Sequence, residues 1–97
     1  VKARTIGALI MEDEEGEDPK ILSVPLTDPR FDGFKDLVSV HPHKLREIQE
    51  FFEVYKRLEP RKWVKFKTWK HAEEAKKIVD YAIDLYARIK ATRISNR

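Results

Sequence analysis

The 97-residue chain contains no cysteine. Disulfides, thiolate zinc sites and cysteine nucleophiles are therefore excluded, and the absence is in keeping with a reducing compartment. Glycine is scarce: Gly7, Gly16 and Gly33 are scattered and form no phosphate-cradling loop. No serine stands in a nucleophile-elbow context. The longest apolar run, Ile6 to Met11, falls far short of the roughly 20 residues that span a bilayer. The first residues also lack the order of basic, apolar and small residues that marks a signal peptide. The expectation is a cytoplasmic protein without a membrane partner.

What is present is charge. Charged residues make up 38% of the chain and hydrophobic ones 41%, which fits one globular domain with a heavily charged surface. The net charge of +3 hides an asymmetry. Residues 1–40 carry 5 basic against 9 acidic side chains, whereas residues 41–97 carry 15 against 8. An acidic half beside a basic half suits a site where cations and a polyanion meet, and long helices with solvated lysines give the same totals. The opening Val1-Lys2-Ala3-Arg4 leads straight into an apolar run, so the chain is expected to be part of a longer one.

The most informative stretch is Met11-Glu12-Asp13-Glu14-Glu15-Gly16-Glu17-Asp18-Pro19-Lys20, with six carboxylates among the seven positions from Glu12 to Asp18. Apolar segments flank it, which predicts a β-hairpin over 1–25 with an acidic turn. Such crowding is costly unless a cation sits there, and Mg²⁺ takes carboxylate oxygens while keeping several waters. Asp18 and Lys20, two apart, project to one face of an extended chain. A metal-holding carboxylate beside a phosphate-holding ammonium is what phosphoryl transfer requires. A solvated acidic turn remains the alternative.

Arg4 to Met11 is apolar on both alternating faces, as in a strand covered on both sides. Residues 25–40 read as a long surface loop, from the turn signals Pro25, Asp28-Pro29 and Asp32-Gly33. A helix is expected over 42–58, its stripe formed by Leu45, Ile48, Phe52 and Tyr55 and widened by Phe51 and Leu58. A strand follows over 63–69 and a C-terminal helix over 70–90, striped from Ala72 through Ile78 and Ile83 to Ile89. The class is α+β.

Tyr55 and Lys56 have two readings: a core-facing tyrosine beside a solvated lysine, or a phenol and an ammonium gripping phosphate. His41 and His43 flank a helix-starting proline without a third ligand, as surface histidines do. Trp63, Lys65 and Lys67 alternate along the 63–69 strand. They fit either a tryptophan covered by the final helix or a surface for single-stranded nucleic acid.

Several separated motifs resemble family I soluble inorganic pyrophosphatases of the bacterial type, in their C-terminal half. They are Arg4-Thr5-Ile6-Gly7-Ala8-Leu9, Met11 to Glu14, Gly16 to Lys20, Phe51 to Glu59, Lys62 to Lys65, Trp69 and Ala72 to Ala75. The resemblance implies part of an OB-like β-barrel, about three strands with two flanking amphipathic helices. It implies Mg²⁺-dependent hydrolysis of pyrophosphate to two orthophosphates. At matching positions, Asp13 and Asp18 resemble metal ligands, Lys20, Tyr55 and Lys56 resemble phosphate-binding residues, and Glu14 holds a supporting acidic position.

The family's Asp-x-Asp-x-x-Asp run, with further ligands and the general base, is absent from this sequence. Little hydrolysis by the chain alone is therefore expected. Thr5, Thr68 and His71 depart from the residues usual in the family. The resemblance further implies a homohexamer, or pairing with a complementing N-terminal half, and no nucleic-acid partner. A small nucleic-acid-binding module or an inactive interaction piece is the competing expectation.

Overall fold

The computed structural model describes residues 2–60 and 63–95; the side chains of Lys56 and of residues 90–95 lie outside that description. Strand β1 (Ala3–Asp13) pairs antiparallel with β2 (Gly16–Pro25) on one side and with β3 (Val64–His71) on the other. Helix α1 (Pro42–Arg57) precedes β3, and helix α2 (Ala72–Ser95) follows it. The α+β expectation holds. Among the described residues, however, β2 and β3 are open edges and the sheet does not close into a barrel.

The hairpin falls within the expected 1–25, but its strand pairing reaches further into the acidic run than an acidic turn implies. Its register runs to Asp13 opposite Gly16, so most of the acidic run is paired ribbon and only Glu14 and Glu15 form the turn. Asp13 Oδ1 accepts the Glu15 N–H at 2.9 Å, a local bond that favours tight turns. Gly16 completes the reversal at φ 119°, a conformation that glycine adopts without steric cost.

Central strand β1 explains the two-sided apolar run. Ala8 and Ile10 pack with Ala75 of α2, with Ile78 alongside. On the opposite face Met11 approaches Phe52 of α1. A bulge at Ile6, between the pairs Thr5–Ser23 and Gly7–Leu22, goes with a second core cluster of Ile6, Val24 and Val40. Phe31, Phe34 and Leu45 close over it.

The 25–40 segment is thus more than a surface loop. It forms short 3₁₀ turns at Pro29–Phe31 and Leu37–Ser39, and buries Leu37 and Val40. Leu37 lies so close to Gly7 that a Cβ there would collide with it. The Arg4 guanidinium ties the segment down by donating to the carbonyls of Asp32 and Phe34 at 3.3 and 3.2 Å.

Helix α1 starts at Pro42 as expected, since its missing N–H falls where none is needed. His41 Nδ1 accepts the His43 N–H at 3.1 Å and serves as the cap. Helix α2 is longer than expected, and less of it is covered. Ala72 and Ala75 are buried and Ile78 and Val79 half-buried, but every described position from Asp80 to Ile89 is exposed. The apolar stripe is present; among the described residues its buried and half-buried positions lie in the first two turns.

Candidate active site

Cross-strand partners share a face, so the hairpin register sorts the acidic run by itself. Met11 pairs with Asp18 and Leu9 with Lys20, which sets Asp13, Asp18 and Lys20 in one row beneath α1. They line a cavity of about 100 Å³ with Met11, Val64, Phe52, Tyr55 and Glu59. Two separated stretches of sequence, the ribbon and the end of α1, therefore meet in one place.

Within the cavity, Lys20 Nζ lies 2.8 Å from Asp18 Oδ2 and 5.3 Å from the centre of the Phe52 ring. The carboxylate and the ring face both favour an ammonium, which fixes Lys20 at the mouth. The expected same-face geometry of Asp18 and Lys20 is observed. Tyr55 is 60% exposed, so it does not continue the core stripe; its ring stacks on Phe51 at 6.2 Å. Lys56, assigned to the same grip, lies outside the described side chains. Glu14 sits exposed on the turn and is not part of the cavity wall.

Sequence reasoning missed Phe52 and Glu59 as cavity residues. For Phe52 the signal was spacing, three residues before Tyr55 on the same helical face; Glu59 lies in the turn after Arg57, the last helical residue.

The donor set suits a hard divalent cation. Mg²⁺ is usually held by one or two carboxylates, with waters and phosphate oxygens completing its shell, and Asp13 and Asp18 on one face are the residues that would supply them. Among the described residues, no group of three or more His, Cys, Asp or Glu side chains comes together as a self-sufficient metal cage. The histidines are engaged elsewhere. His43 Nε2 lies 2.9 Å from Glu47 Oε1, and His71 Nδ1 lies 3.1 Å from each Asp36 oxygen.

The expectation of a tryptophan covered by the final helix is overturned: Trp63 is 47% exposed, which leaves the aromatic of the alternative nucleic-acid surface in place. The cation beside it is committed elsewhere. Lys67 turns its ammonium onto Glu17 at 2.8 Å and is neutralised within the chain.

Comparison with known proteins fits this arrangement. A family model described as inorganic pyrophosphatase matches residues 1–87. The inorganic pyrophosphatase of Helicobacter pylori (strain J99) is 47% identical over 88 residues, covering 89% of this chain and 51% of the relative. That of Saccharolobus solfataricus is 44% identical over 86 residues, with 87% and 50% covered. Among solved structures, a Helicobacter pylori inorganic pyrophosphatase superimposes with a TM-score of 0.84 at 45% identity, covering 90% of this chain and 52% of that one. The Thermus thermophilus enzyme gives 0.84 at 40%, with 90% and 51% covered.

The fold is thus part of the inorganic pyrophosphatase fold. The chain belongs to family I of the inorganic pyrophosphatases, and spans about half the length of the curated relatives it matches. No helix among the described residues is long and apolar enough to cross a membrane.

Proposed function

We propose that this chain supplies one wall of a Mg²⁺-dependent site that hydrolyses pyrophosphate to two orthophosphates. The observation that carries the reading is the meeting of Asp13, Asp18, Lys20 and Tyr55 at one cavity. Asp13 and Asp18 would hold Mg²⁺, which supplies charge neutralisation and polarisation of phosphoryl oxygens when bound. Lys20 leaves Asp18 in part to donate to a phosphate oxygen. Charge-assisted contacts of this kind are among the stronger hydrogen bonds. Tyr55, exposed at the rim, donates its hydroxyl to the same group, and Lys56 adds a second cation. Glu14 acts on the site from the turn through its charge.

The general base and further metal ligands come from the N-terminal half of the enzyme, which also covers the open sheet edges. The complete enzyme is a cytoplasmic homo-oligomer, hexameric as the resemblance implies.

A binding experiment tests the chain's own share. Titration with imidodiphosphate, a non-hydrolysable analogue, should show binding that strengthens with Mg²⁺ and is lost in Lys20→Met/Tyr55→Phe. Binding indifferent to Mg²⁺ and to both substitutions would overturn the assignment.

A further inference from the structure

A lysine is a poor anchor by itself, because its ammonium rides on a flexible four-carbon stem. Holding that stem in one place costs rotamer freedom, which weakens any contact the ammonium then makes. The Lys20 side chain is 38% exposed on β2, yet it is held at two points. Asp18 Oδ2 lies 2.8 Å from its Nζ, and the centre of the Phe52 ring lies 5.3 Å away. The two contacts differ in what else they are asked to do. Asp18 is one of the residues that would hold Mg²⁺, so Lys20 has to share its oxygens with a metal. A ring face attracts the ammonium through its quadrupole and offers a metal no oxygen.

Phe52 is itself held. It is half-buried on α1 and lines the cavity with Met11. The Phe51 ring meets it edge to face, with centres 5.2 Å apart and planes at 84°, an arrangement aromatic pairs favour. Phe51 in turn stacks on Tyr55, with 19° between the planes. Lys20 of β2 and Tyr55 of α1, both assigned to phosphate, therefore stand on one run of adjoining rings.

We infer that Phe52 is a positioning residue for phosphate binding: its ring face keeps the Lys20 ammonium at the cavity mouth once the Asp18 carboxylate is committed to a metal. The inference rests on the metal and phosphate roles proposed above, and adds a residue that bonds to neither ligand. It explains how Lys20 loses part of its carboxylate partner without being lost to solvent. The ordering cost is met before phosphate arrives, which is how pre-organisation strengthens binding.

The test titrates the whole chain with imidodiphosphate in the presence of Mg²⁺. Phe52→Leu keeps an apolar side chain and removes the ring face. It should weaken binding roughly two- to fivefold, the scale of one partly exposed cation–π contact. Phe52→Tyr, which keeps the face, should bind as the unsubstituted chain does. In a Lys20→Met background, where Tyr55 remains to hold the analogue, Phe52→Leu should have no further effect. Replacing Phe52 by pentafluorophenylalanine keeps the ring shape and reverses the charge of its face. It should weaken binding as Phe52→Leu does, and serves where leucine disturbs the fold. A second readout is the NMR signal of an isotope-labelled Lys20 ε-methylene. The ring current should displace it upfield, persistently on addition of Mg²⁺, and the displacement should vanish in Phe52→Leu.

A merely structural role for Phe52 weakens binding equally with and without Lys20, and that result would overturn the inference. Affinity unchanged in both Phe52→Leu and the fluorinated chain would overturn it too. So would a Lys20 signal that moves to the position of an exposed lysine when Mg²⁺ is added. If the unsubstituted chain and Lys20→Met bind imidodiphosphate equally, the phosphate assignment itself fails.

Discussion

The Asp36 carboxylate accepts the backbone N–H of Ala72 at 2.8 Å, so a loop residue caps a helix that begins 36 positions later. The first N–H groups of any helix lack partners within it. Here the residue before the helix is His71, and the acceptor comes from across the chain. His71 Nδ1 lies against the same carboxylate at 3.1 Å. The adjoining Leu37 is buried against Gly7. One short segment therefore ties the loop, β1 and the start of α2 together.

Asp36→Ala should lower the melting temperature, and Asp36→Asn, which keeps an acceptor, should lower it less. The Asp36 carboxyl is held below its ordinary value of 3.8, first by the Ala72 N–H, then by the Leu37 N–H, and more weakly by His71. A depressed carboxyl contributes stability above its unfolded value, and that contribution disappears as pH falls through the folded one. Thermal melts across the acid range should therefore show a shallower acid decline in Asp36→Asn. Parallel declines would contradict the capping role.

Gly7→Ala should destabilise the chain by about 1–3 kcal/mol through overpacking against Leu37. Leu37→Ala alone should cost about 2–5 kcal/mol through the cavity it leaves. Because one methyl group enters the space the other vacates, the double variant should lose clearly less than the sum of the two. Denaturant melts of the four proteins measure the coupling; strict additivity would mean the two residues do not share that space.

In an enzyme assembled with the N-terminal half, Asp18→Asn should reduce Mg²⁺-dependent turnover by about 10²–10³-fold, the scale for losing one well-placed charged group. Tyr55→Phe should act mainly on KM, roughly tenfold for a lost hydrogen bond to a charged phosphate. Steady-state kinetics at varied Mg²⁺ and pyrophosphate separate the two. A kcat loss in Tyr55→Phe with KM unchanged would contradict its placing.

The elements themselves were legible because their periodicities are local. Alternation from Val64 to Phe66 gave a strand, and the stripes of Leu45 to Phe52 and Ala72 to Ile78 gave helices. The same-face position of Asp18 and Lys20 followed from the two-residue period alone. The bulges at Ile6 of β1 and Lys67 of β3 were not legible, because a bulge is a property of two strands in register. Nor was the Asp36–Ala72 cap, which joins distant residues that no local pattern links. The α2 stripe was read correctly, but amphipathicity reports a face that can be covered, not the presence of a cover. Glu59 escaped notice because it lies just past the last helical residue, where the periodicity that places it had already ended.

The uncovered stripe has a consequence in solution. Ile83, Tyr86, Phe51 and Leu58 are 62%, 67%, 62% and 76% exposed, and both sheet edges are open among the described residues. The chain alone should therefore self-associate, with a mass above 11.5 kDa in multi-angle light scattering. Ile83→Glu should shift the distribution toward the monomer. A monodisperse monomer with a cooperative melt would contradict the expectation.

Phosphate release from pyrophosphate in millimolar Mg²⁺ tests the account most directly, measured on this chain alone and on the chain combined with an inorganic pyrophosphatase N-terminal half. The account predicts little hydrolysis by the chain alone, robust hydrolysis by the combination, and loss of that activity with Asp18→Asn. Combined activity that is unaffected by Asp18→Asn, or a properly assembled combination with none, would contradict it.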